Sequence, residues 1–162
     1  MKKINLLIGM LGIEEVQADK ICEDLRENNV EVATYTLMYT KIGIEQALRD
    51  NPEIDTILLS EYLESSNPYT AYDLNILSEI RDNVTVVGII QDDHNGTDYV
   101  KKLVEYSVRT IVFDKDATFE NITNVIANGR TRREARLYYG VMDEENTEIV
   151  NHTTVDTSLD YL

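Results

Sequence analysis

The sequence predicts an α/β protein, a three-layer α/β/α sandwich whose doubly wound parallel sheet is built from five consecutive strand–helix units. Two observations predict it. Short apolar runs rich in β-branched residues recur about every 25 residues, as expected of strands that alternate with helices. Between these runs, apolar residues recur at helical spacing, which suits helices that cover both faces of a parallel sheet.

Five segments are predicted to be strands. The first and the third are the most continuously apolar, so we expect them in the middle of the sheet. With right-handed crossovers, this placement gives the strand order 2-1-3-4-5. The predicted strands are residues 4–10, 31–36, 55–60, 84–90 and 109–113.

Each predicted helix carries a stripe of apolar residues along one face. The stripes are Ala18, Ile21, Cys22 and Leu25; Ile44, Ala47 and Leu48; Leu74, Leu77 and Ile80; Val100, Leu103, Val104 and Ser107; and Phe119, Ile122, Val125 and Ile126. Cys22, the single cysteine, is therefore expected to be a buried structural thiol. One cysteine also excludes an intramolecular disulfide and fits a reducing compartment.

Length and charge limit the function classes. The 162 residues fit one domain with a hydrophobic core of its own. The formal charge of −15, from 30 acidic and 15 basic residues, argues against binding to nucleic acid or to an anionic membrane. Asn5 and Gly9 interrupt the N-terminal apolar run, so it is no signal peptide, and no stretch approaches the roughly 20 apolar residues that span a bilayer. We expect a cytoplasmic protein.

The chain changes character after residue 128. Residues 1–128, 129–140 and 141–162 carry net charges of −12, +3 and −6. The middle segment contains a capping-box pattern, Thr131-x-x-Glu134, and Gly140 is well placed to end a helix. We therefore predict an α/β domain over 1–128, a short basic helix over 129–140, and an acidic tail or linker over 141–162, which either pairs as an edge strand or remains loose.

The predicted basic helix is a candidate interface. Arginine and tyrosine are favoured at protein interfaces, and the local charge opposes that of the whole protein, which would suit an acidic partner or a second subunit. The alternative is a solvated face that balances the acidic tail. The candidate interface residues are Arg130, Arg132, Arg133, Arg136, Tyr138 and Tyr139.

Residues 3–128 resemble the receiver domain of bacterial response regulators, which has a flavodoxin-like fold. The segment AYDLNILSEIRDN resembles the third helix of that family and the turn beyond it. The segments that fall where the family keeps its sheet core are INLLIGM, DTILLSEYL and RTIVFDK.

The resemblance implies a site at the carboxyl ends of the strands. Working receivers hold Mg²⁺ on an acidic pair after the first strand and accept a phosphoryl group on an aspartate that ends the third. A Thr or Ser ends their fourth strand, and a Lys ends the fifth. A carboxylate attacks phosphorus only where a divalent cation and an ammonium neutralise the developing charge.

Most of those groups are replaced in this chain. Met10 and Leu11 stand where the acidic pair belongs, and the Thr/Ser position falls near Ile90 or Gln91. We therefore predict a degenerate receiver that is neither an enzyme nor a substrate for aspartyl phosphorylation, and that binds no cofactor.

The degenerate phosphoacceptor region is Ser60, Glu61 and Lys115. The phosphoacceptor position falls on Ser60, and Lys115 is the one group of the family pattern that is retained. Two interpretations of Glu61 are open: a residue that imitates a phosphorylated aspartate, or an exposed loop glutamate. We favour the exposed glutamate.

The loops after the fourth and fifth predicted strands hold weak candidates for a metal site, because carboxylates and imidazole are metal ligands. The alternative, which we favour, is a solvated loop that caps the fourth helix through Asp93 or Asn95. We therefore predict no bound metal. The weak candidates are Asp92, Asp93, His94 and Asp114, with Asp116 beside them.

The predicted function is a pseudo-receiver that acts as a protein–protein interaction module in regulation or localisation. We expect a homodimer formed through the face of the fourth helix, fifth strand and fifth helix. The chain also resembles atypical receivers fused ahead of MinD/ParA-like ATPases in pilus assembly, which would make a fused downstream domain a partner.

Two alternatives remain. One is a small-molecule or metal-binding α/β domain, possibly enzymatic, that uses the Gly9-Met10-Leu11-Gly12 turn and the 92–94 loop. A strand-end face plugged by side chains, among them Tyr62 and Gln91, would oppose it. The other is a true receiver phosphorylated at an unusual residue.

Overall fold

A computed structural model of the chain describes residues 1–80, 84–106 and 110–129. All strand pairs are parallel, and the sheet has the order β2-β1-β3-β4-β5, which confirms the predicted order. The strands are β1 (Lys2–Gly9), β2 (Val30–Met38), β3 (Thr56–Ser60), β4 (Thr85–Ile90) and β5 (Thr110–Phe113). The helices are α1 (Glu15–Glu27), α2 (Lys41–Asp50), α3 (Ala71–Ile80), α4 (Asp98–Tyr106) and α5 (Phe119–Ala127).

The central strands are buried on both faces, so the sheet divides the core in two. Leu7 of β1 and Leu59 of β3 pack with α2, α3 and α4. Leu6 of β1 and Leu58 of β3 point the other way and pack with α1 and α5. This alternation follows from the two-residue period of a strand, and it explains why the two most apolar segments are central.

Side-chain caps fix where several helices begin. The hydroxyl of Thr40 accepts a hydrogen bond from the Gly43 N–H at 3.0 Å at the start of α2. Thr118 does the same for the Asn121 N–H at 3.1 Å at the start of α5. Because α5 begins directly after this cap, the loop between β5 and α5 is short and its residues stay at the sheet edge.

Two members of the predicted apolar stripes are not core residues. Cys22 is half-buried, because Ala18, Ile21 and Leu25 occupy the middle of the stripe and the thiol lies at its margin. Its partial burial still raises the pKa of the thiol. Phe119 is 40% exposed, because it is the first residue of α5 and lies at the edge of the sheet rather than over it.

Part of the C-terminal prediction lies outside the described residues. The basic segment and the tail, residues 130–162, are not described. Two members of the predicted stripe of the fourth helix, Ser107 and the side chain of Val104, are not described either. The candidate interface residues outside the described part are Arg130, Arg132, Arg133, Arg136, Tyr138 and Tyr139. Among the described helices, none combines the length and the apolar character needed to cross a membrane.

Candidate functional site at the strand ends

The carboxyl ends of the strands lie side by side at one edge of the sheet. Gly9 pairs in register with Leu59, Ser60 with Ile89, and Ile90 with Phe113. The loops that follow β1, β3, β4 and β5 therefore meet at this edge, where ligands collect in open α/β sheets.

Glu61 is the centre of a buried polar cluster at this edge. The residue is only 3% exposed. Its Oε1 accepts a hydrogen bond from the Gln91 backbone N–H at 2.9 Å, and its Oε2 lies 2.8 Å from Nε2 of His94. The expectation of an exposed loop glutamate is wrong.

The reason lies in strand pairing. The Glu61 N–H donates to the Ile89 carbonyl at 2.9 Å, so the hydrogen bonding of β3 with β4 continues one residue past Ser60. In a two-residue alternation, the side chain of Glu61 then falls on the same face as Leu59, toward α3 and α4. The two-residue alternation of β3, continued by one residue past Ser60, is the sequence signal that predicts a buried side chain at Glu61.

His94 joins Glu61 to α4. Its ring is stacked on Tyr99, with ring centroids 4.2 Å apart and planes 19° apart. The Tyr99 hydroxyl donates to the Tyr69 carbonyl at 2.9 Å, and the Tyr69 N–H donates to the Glu61 carbonyl at 2.9 Å. The loops after β3 and β4 are thus tied to each other and to α4 through neighbouring hydrogen bonds.

The protons of this cluster follow from its geometry. Oε1 of Glu61 accepts from a backbone amide, and the 2.8 Å contact with Oε2 is a hydrogen bond in which Nε2 of His94 is the donor. Partial burial and the negative charge of Glu61 raise the pKa of Tyr99, so its hydroxyl stays protonated and remains a donor.

The predicted phosphoacceptor region is only partly assembled. Ser60 is half-buried at the end of β3, directly before Glu61. Lys115 lies in a one-turn 3₁₀ helix after β5, and its side chain is exposed. Its backbone N–H donates to Oδ1 of Asp92 at 3.1 Å. The loops after β4 and β5 are therefore linked by the backbone amide of Lys115 and not by its ammonium group.

The weak metal candidates do not converge. His94 is bound to Glu61, Asp92 accepts from the Lys115 amide, and Asp93 and Asp114 are exposed. In the part of the chain that the structure describes, no three acidic, histidine or cysteine side chains are grouped so that they could hold a metal ion.

The expected cap of the fourth helix is also different. Thr97 precedes α4, and its carbonyl accepts from the Lys101 N–H at 3.4 Å. A 3₁₀ turn at Asp92–His94 and the left-handed Gly96 (φ +79°) take up the residues between, so Asp93 and Asn95 lie too early to cap α4. The Thr97 hydroxyl donates instead to the His94 carbonyl, which helps to hold the imidazole in place.

The β1 half of the same edge is apolar. Leu11 is 70% exposed in the turn between β1 and α1, where Gly12 has a φ of +76°. Together with Phe119 it borders a groove of about 510 Å³ that Met10, Ile13 and Ile122 also line. Among the described residues that line this groove, none has a charged side chain.

Two features bear on the small-molecule alternative. A Cβ at Gly9 would lie 2.7 Å from methyl groups of Ile44 and Leu59, so core packing by itself favours glycine at this position. Leu11 is exposed, and so is Tyr62, at 38%. These two side chains therefore do not cover the strand ends, and the apolar groove stays open.

Comparison with known proteins identifies the fold only. No family model matches the sequence, and no curated protein does. The orphan response regulator HP1043 of H. pylori is 10% identical, with 76% of this chain and 92% of that chain aligned and a TM-score of 0.52. The RcsB response regulator of Salmonella typhimurium is 9% identical, over 94% and 72% of the two chains, with a TM-score of 0.56.

NtrX from Brucella abortus is 16% identical, with a TM-score of 0.54. The alignment covers 98% of this chain and 32% of NtrX, so the chain spans about a third of that protein. The chain therefore has the flavodoxin-like fold of response-regulator receiver domains, as the sequence predicts.

Proposed function

We propose that this chain is a pseudo-receiver, a protein–protein interaction module in regulation or localisation that works without phosphorylation and without turnover. The observation that carries the proposal is the buried carboxylate of Glu61, bound by the Gln91 N–H and by His94. It lies one residue after the position that the family uses as phosphoacceptor.

The carboxylate supplies the link that a phosphoryl group would have to supply. It bridges the loop after β3 to the loop after β4 with two short hydrogen bonds. A hydrogen bond to an ionised group contributes about 1.5–3 kcal/mol, so the bridge is stable without added charge. Glu61 is then a permanent constituent of the receiver core and not a site that is switched.

The groups needed for phosphoryl transfer are missing from the positions where the resemblance implies them. Met10 and Leu11 bring no carboxylate to the end of β1. Lys115 is the one retained group, and its side chain is exposed in the turn after β5. The sequence thus offers no acidic pair after β1 to hold the divalent cation that neutralises the developing charge of a phosphoryl transfer.

The exposed apolar residues of the β1 half support a role in binding. Leu11 and Phe119, which both line the apolar groove, are 70% and 40% exposed. Apolar side chains grouped at a rim are common at protein interaction sites. The homodimer, the face that forms it and the fused ATPase partner remain predictions.

The proposal is tested by incubating the protein with Mg²⁺ and acetyl phosphate and measuring its intact mass. We expect no added phosphoryl group, while a phosphorylatable receiver treated in parallel gains one. A stoichiometric phosphoryl adduct that is lost in a Ser60→Ala variant would contradict the proposal and favour a true receiver.

One observation favours the alternative of a small-molecule domain, namely the open apolar groove beside Met10 and Phe119. In the described part of its lining, the polar side chains are those of Gln17 and Thr118, so the ligand that fits this groove is an apolar molecule. Native mass spectrometry of the purified protein tests it. A small molecule that is retained by the wild-type protein and lost from a Phe119→Ala variant would favour the alternative.

A further inference from the structure

The exposed apolar side chains are concentrated at one edge of the sheet. Apart from Met1, every large hydrophobic side chain that is exposed in the described part of the chain lies at the carboxyl ends of the strands. Three of them, Leu11, Tyr39 and Tyr62, lie in loops that follow strands, and four lie in the first turns of α1, α2, α3 and α5. Single exposed hydrophobic residues are normal when they are scattered, whereas a group on one surface indicates a binding site.

The apolar groove lies within this surface. Leu11 and Phe119 line it, and so does Ile13. Tyr39 is next to the groove, because its hydroxyl donates to the Ile13 carbonyl at 2.7 Å. This hydrogen bond satisfies the polar end of Tyr39, and the residue is still 46% exposed. Aromatic and large apolar side chains of this kind form the buried centre of protein interfaces.

Carboxylates surround the groove, and we call them the acidic rim. They are Glu14 and Glu15 at the start of α1, and Asp114, Asp116 and Glu120 around the start of α5. All of them are exposed, and within the described ranges none is in an ion pair. Residues 10–17 and 114–120 contain a single basic residue, Lys115. Helix N-termini favour carboxylates, but that preference does not explain the exposed apolar side chains between them.

The charge of the rim limits what can bind in the groove. Nucleic acid and anionic lipid are repelled by carboxylates. A second copy of the chain on a two-fold axis would bring the same carboxylates to both sides of the contact, and like charges oppose such a contact. A cationic partner with apolar side chains is complementary both to the rim and to the groove.

We propose that this surface binds a segment of another protein that combines large apolar side chains with arginine or lysine. The apolar side chains enter the groove between Leu11 and Phe119, and the cations face the acidic rim. Arginine suits the surface best, because its guanidinium pairs with carboxylates in a forked geometry and stacks on aromatic rings.

This inference rests on the proposed function, because it names the chemistry of the partner that the interaction module binds. The two proposals can nevertheless fail separately. A phosphoryl adduct would contradict the pseudo-receiver and leave the docking surface in place. Absence of binding at the groove would remove the docking surface, and the result with acetyl phosphate would be unchanged.

The test is isothermal titration of the full chain with a synthetic amphipathic peptide that has leucines on one face and arginines on the other. Two control peptides keep the same pattern, one with glutamate in place of each arginine and one with serine in place of each leucine. We expect saturable binding of the first peptide at one site. Each control peptide should bind about tenfold more weakly or not at all, because it matches only the groove or only the rim.

Variants of the protein locate the site. The rim variant is Glu15→Gln with Asp116→Asn, which removes one charge on each side of the groove. The matched control is Asp50→Asn with Glu53→Gln, which removes the same charge from exposed positions between α2 and β3, at the opposite edge of the sheet. We expect peptide binding about fivefold weaker in the rim variant and unchanged in the control, because each exposed ion pair contributes modestly.

The apolar part of the surface is tested with Leu11→Ser, which changes a side chain that is 70% exposed. We expect its affinity for the leucine–arginine peptide to fall about fivefold, and its affinity for the serine peptide to stay the same. Circular dichroism confirms that each variant is folded.

Three results would overturn the proposal. Equal affinity of the wild-type protein, the rim variant and Leu11→Ser would mean that the peptide is bound only through the net charge of the protein. A dimer that forms without peptide and is lost in Leu11→Ser would make a second copy the occupant. A small molecule that copurifies with the protein and prevents peptide binding would make that molecule the occupant.

Discussion

The two halves of the strand-end edge differ in the way they are closed. At the ends of β3 and β4, the buried side chain of Glu61 meets His94, and both oxygens of its carboxylate are bonded. At the ends of β1 and β5, Leu11 and Phe119 are exposed beside an open groove. The half at β3 and β4 is closed by its own carboxylate, and the half at β1 and β5 presents an apolar surface.

The largest effect is expected from opening the closed half. Glu61→Ala removes two hydrogen bonds and leaves the Gln91 N–H and the His94 imidazole without their acceptor. Leaving a buried donor without its acceptor costs about 1–3 kcal/mol. Because two donors lose their acceptor, we expect a loss of about 3 kcal/mol in the free energy of unfolding, measured by urea denaturation. The control Asp93→Ala, at an exposed neighbouring acid, should change it by less than about 0.5 kcal/mol. An equal effect of the two would refute the bridging role of Glu61.

The apolar half is tested through its two glycines. Gly9→Ala forces a Cβ to within 2.7 Å of the Ile44 and Leu59 methyl groups, and overpacking of this kind costs about 1–3 kcal/mol. Gly12→Ala meets no neighbouring atom but retains the φ of +76°, which costs about 1 kcal/mol. Thermal unfolding of both variants checks the order, and a larger loss for Gly12 would mean that the turn and not the packing requires glycine.

A smaller effect is expected at Tyr99. Tyr99→Phe removes the hydrogen bond to the Tyr69 carbonyl and should cost about 1 kcal/mol at neutral pH. Tyr72→Phe, at a residue that is 63% exposed, is the control and should cost nothing measurable in urea denaturation. Equal effects would exclude Tyr99 from the cluster.

The ionisation of Tyr99 makes the free energy of unfolding depend on pH. Burial raises the pKa of Tyr99 in the folded state, so the unfolded chain loses that proton first. The stabilisation from the protonated phenol is therefore complete below the ordinary tyrosine pKa of about 10, and it is lost as the pH rises from there toward the folded-state value. Unfolding free energies measured from pH 8 to about 11 should fall less steeply in Tyr99→Phe than in the wild-type protein. Identical slopes would contradict this assignment.

The smallest effect on stability is expected at the open rim. Leu11→Ser changes a side chain that is 70% exposed, so its unfolding free energy should stay within about 0.5 kcal/mol of wild type. The measurement is thermal unfolding, with Ile13→Ser, which replaces a buried neighbour, as the destabilised comparison. Similar losses for both would mean that the rim is part of the core.

The sheet could be predicted from the sequence because it depends on local pattern. Strand order followed from which runs are apolar on both faces, and the residues of β1 and β3 alternate between the two cores as a strand requires. The helical stripes predicted burial less exactly at their margins and in the first turn of a helix. Cys22 and Phe119 match a helical stripe, but whether the margin or the first turn of a helix is covered depends on neighbouring elements.

The Glu61–His94 pair could not be predicted by the same means. The two residues are separated by the whole of α3 and β4, and their contact depends on the turn at Asp92–His94 and on Gly96 with its left-handed backbone. The residues next to them in sequence predict a weak metal ligand at His94 and an exposed side chain at Glu61. Neither local pattern indicates that the two residues meet. Polar clusters in loops need the loop geometry that hydrophobic periodicity does not supply.

The most direct test of the central claim is the response of the strand-end amides to Mg²⁺ and beryllofluoride, followed by NMR of ¹⁵N-labelled protein. If Glu61 already occupies the place of a phosphoryl group, the Gln91 amide keeps its resonance in the wild-type protein on addition of both reagents, and it moves only when Glu61 is replaced by Gln. A saturable shift of Ser60, Gln91 and Lys115 in the wild-type protein would show that a working phosphoacceptor site remains, and the pseudo-receiver account would be wrong.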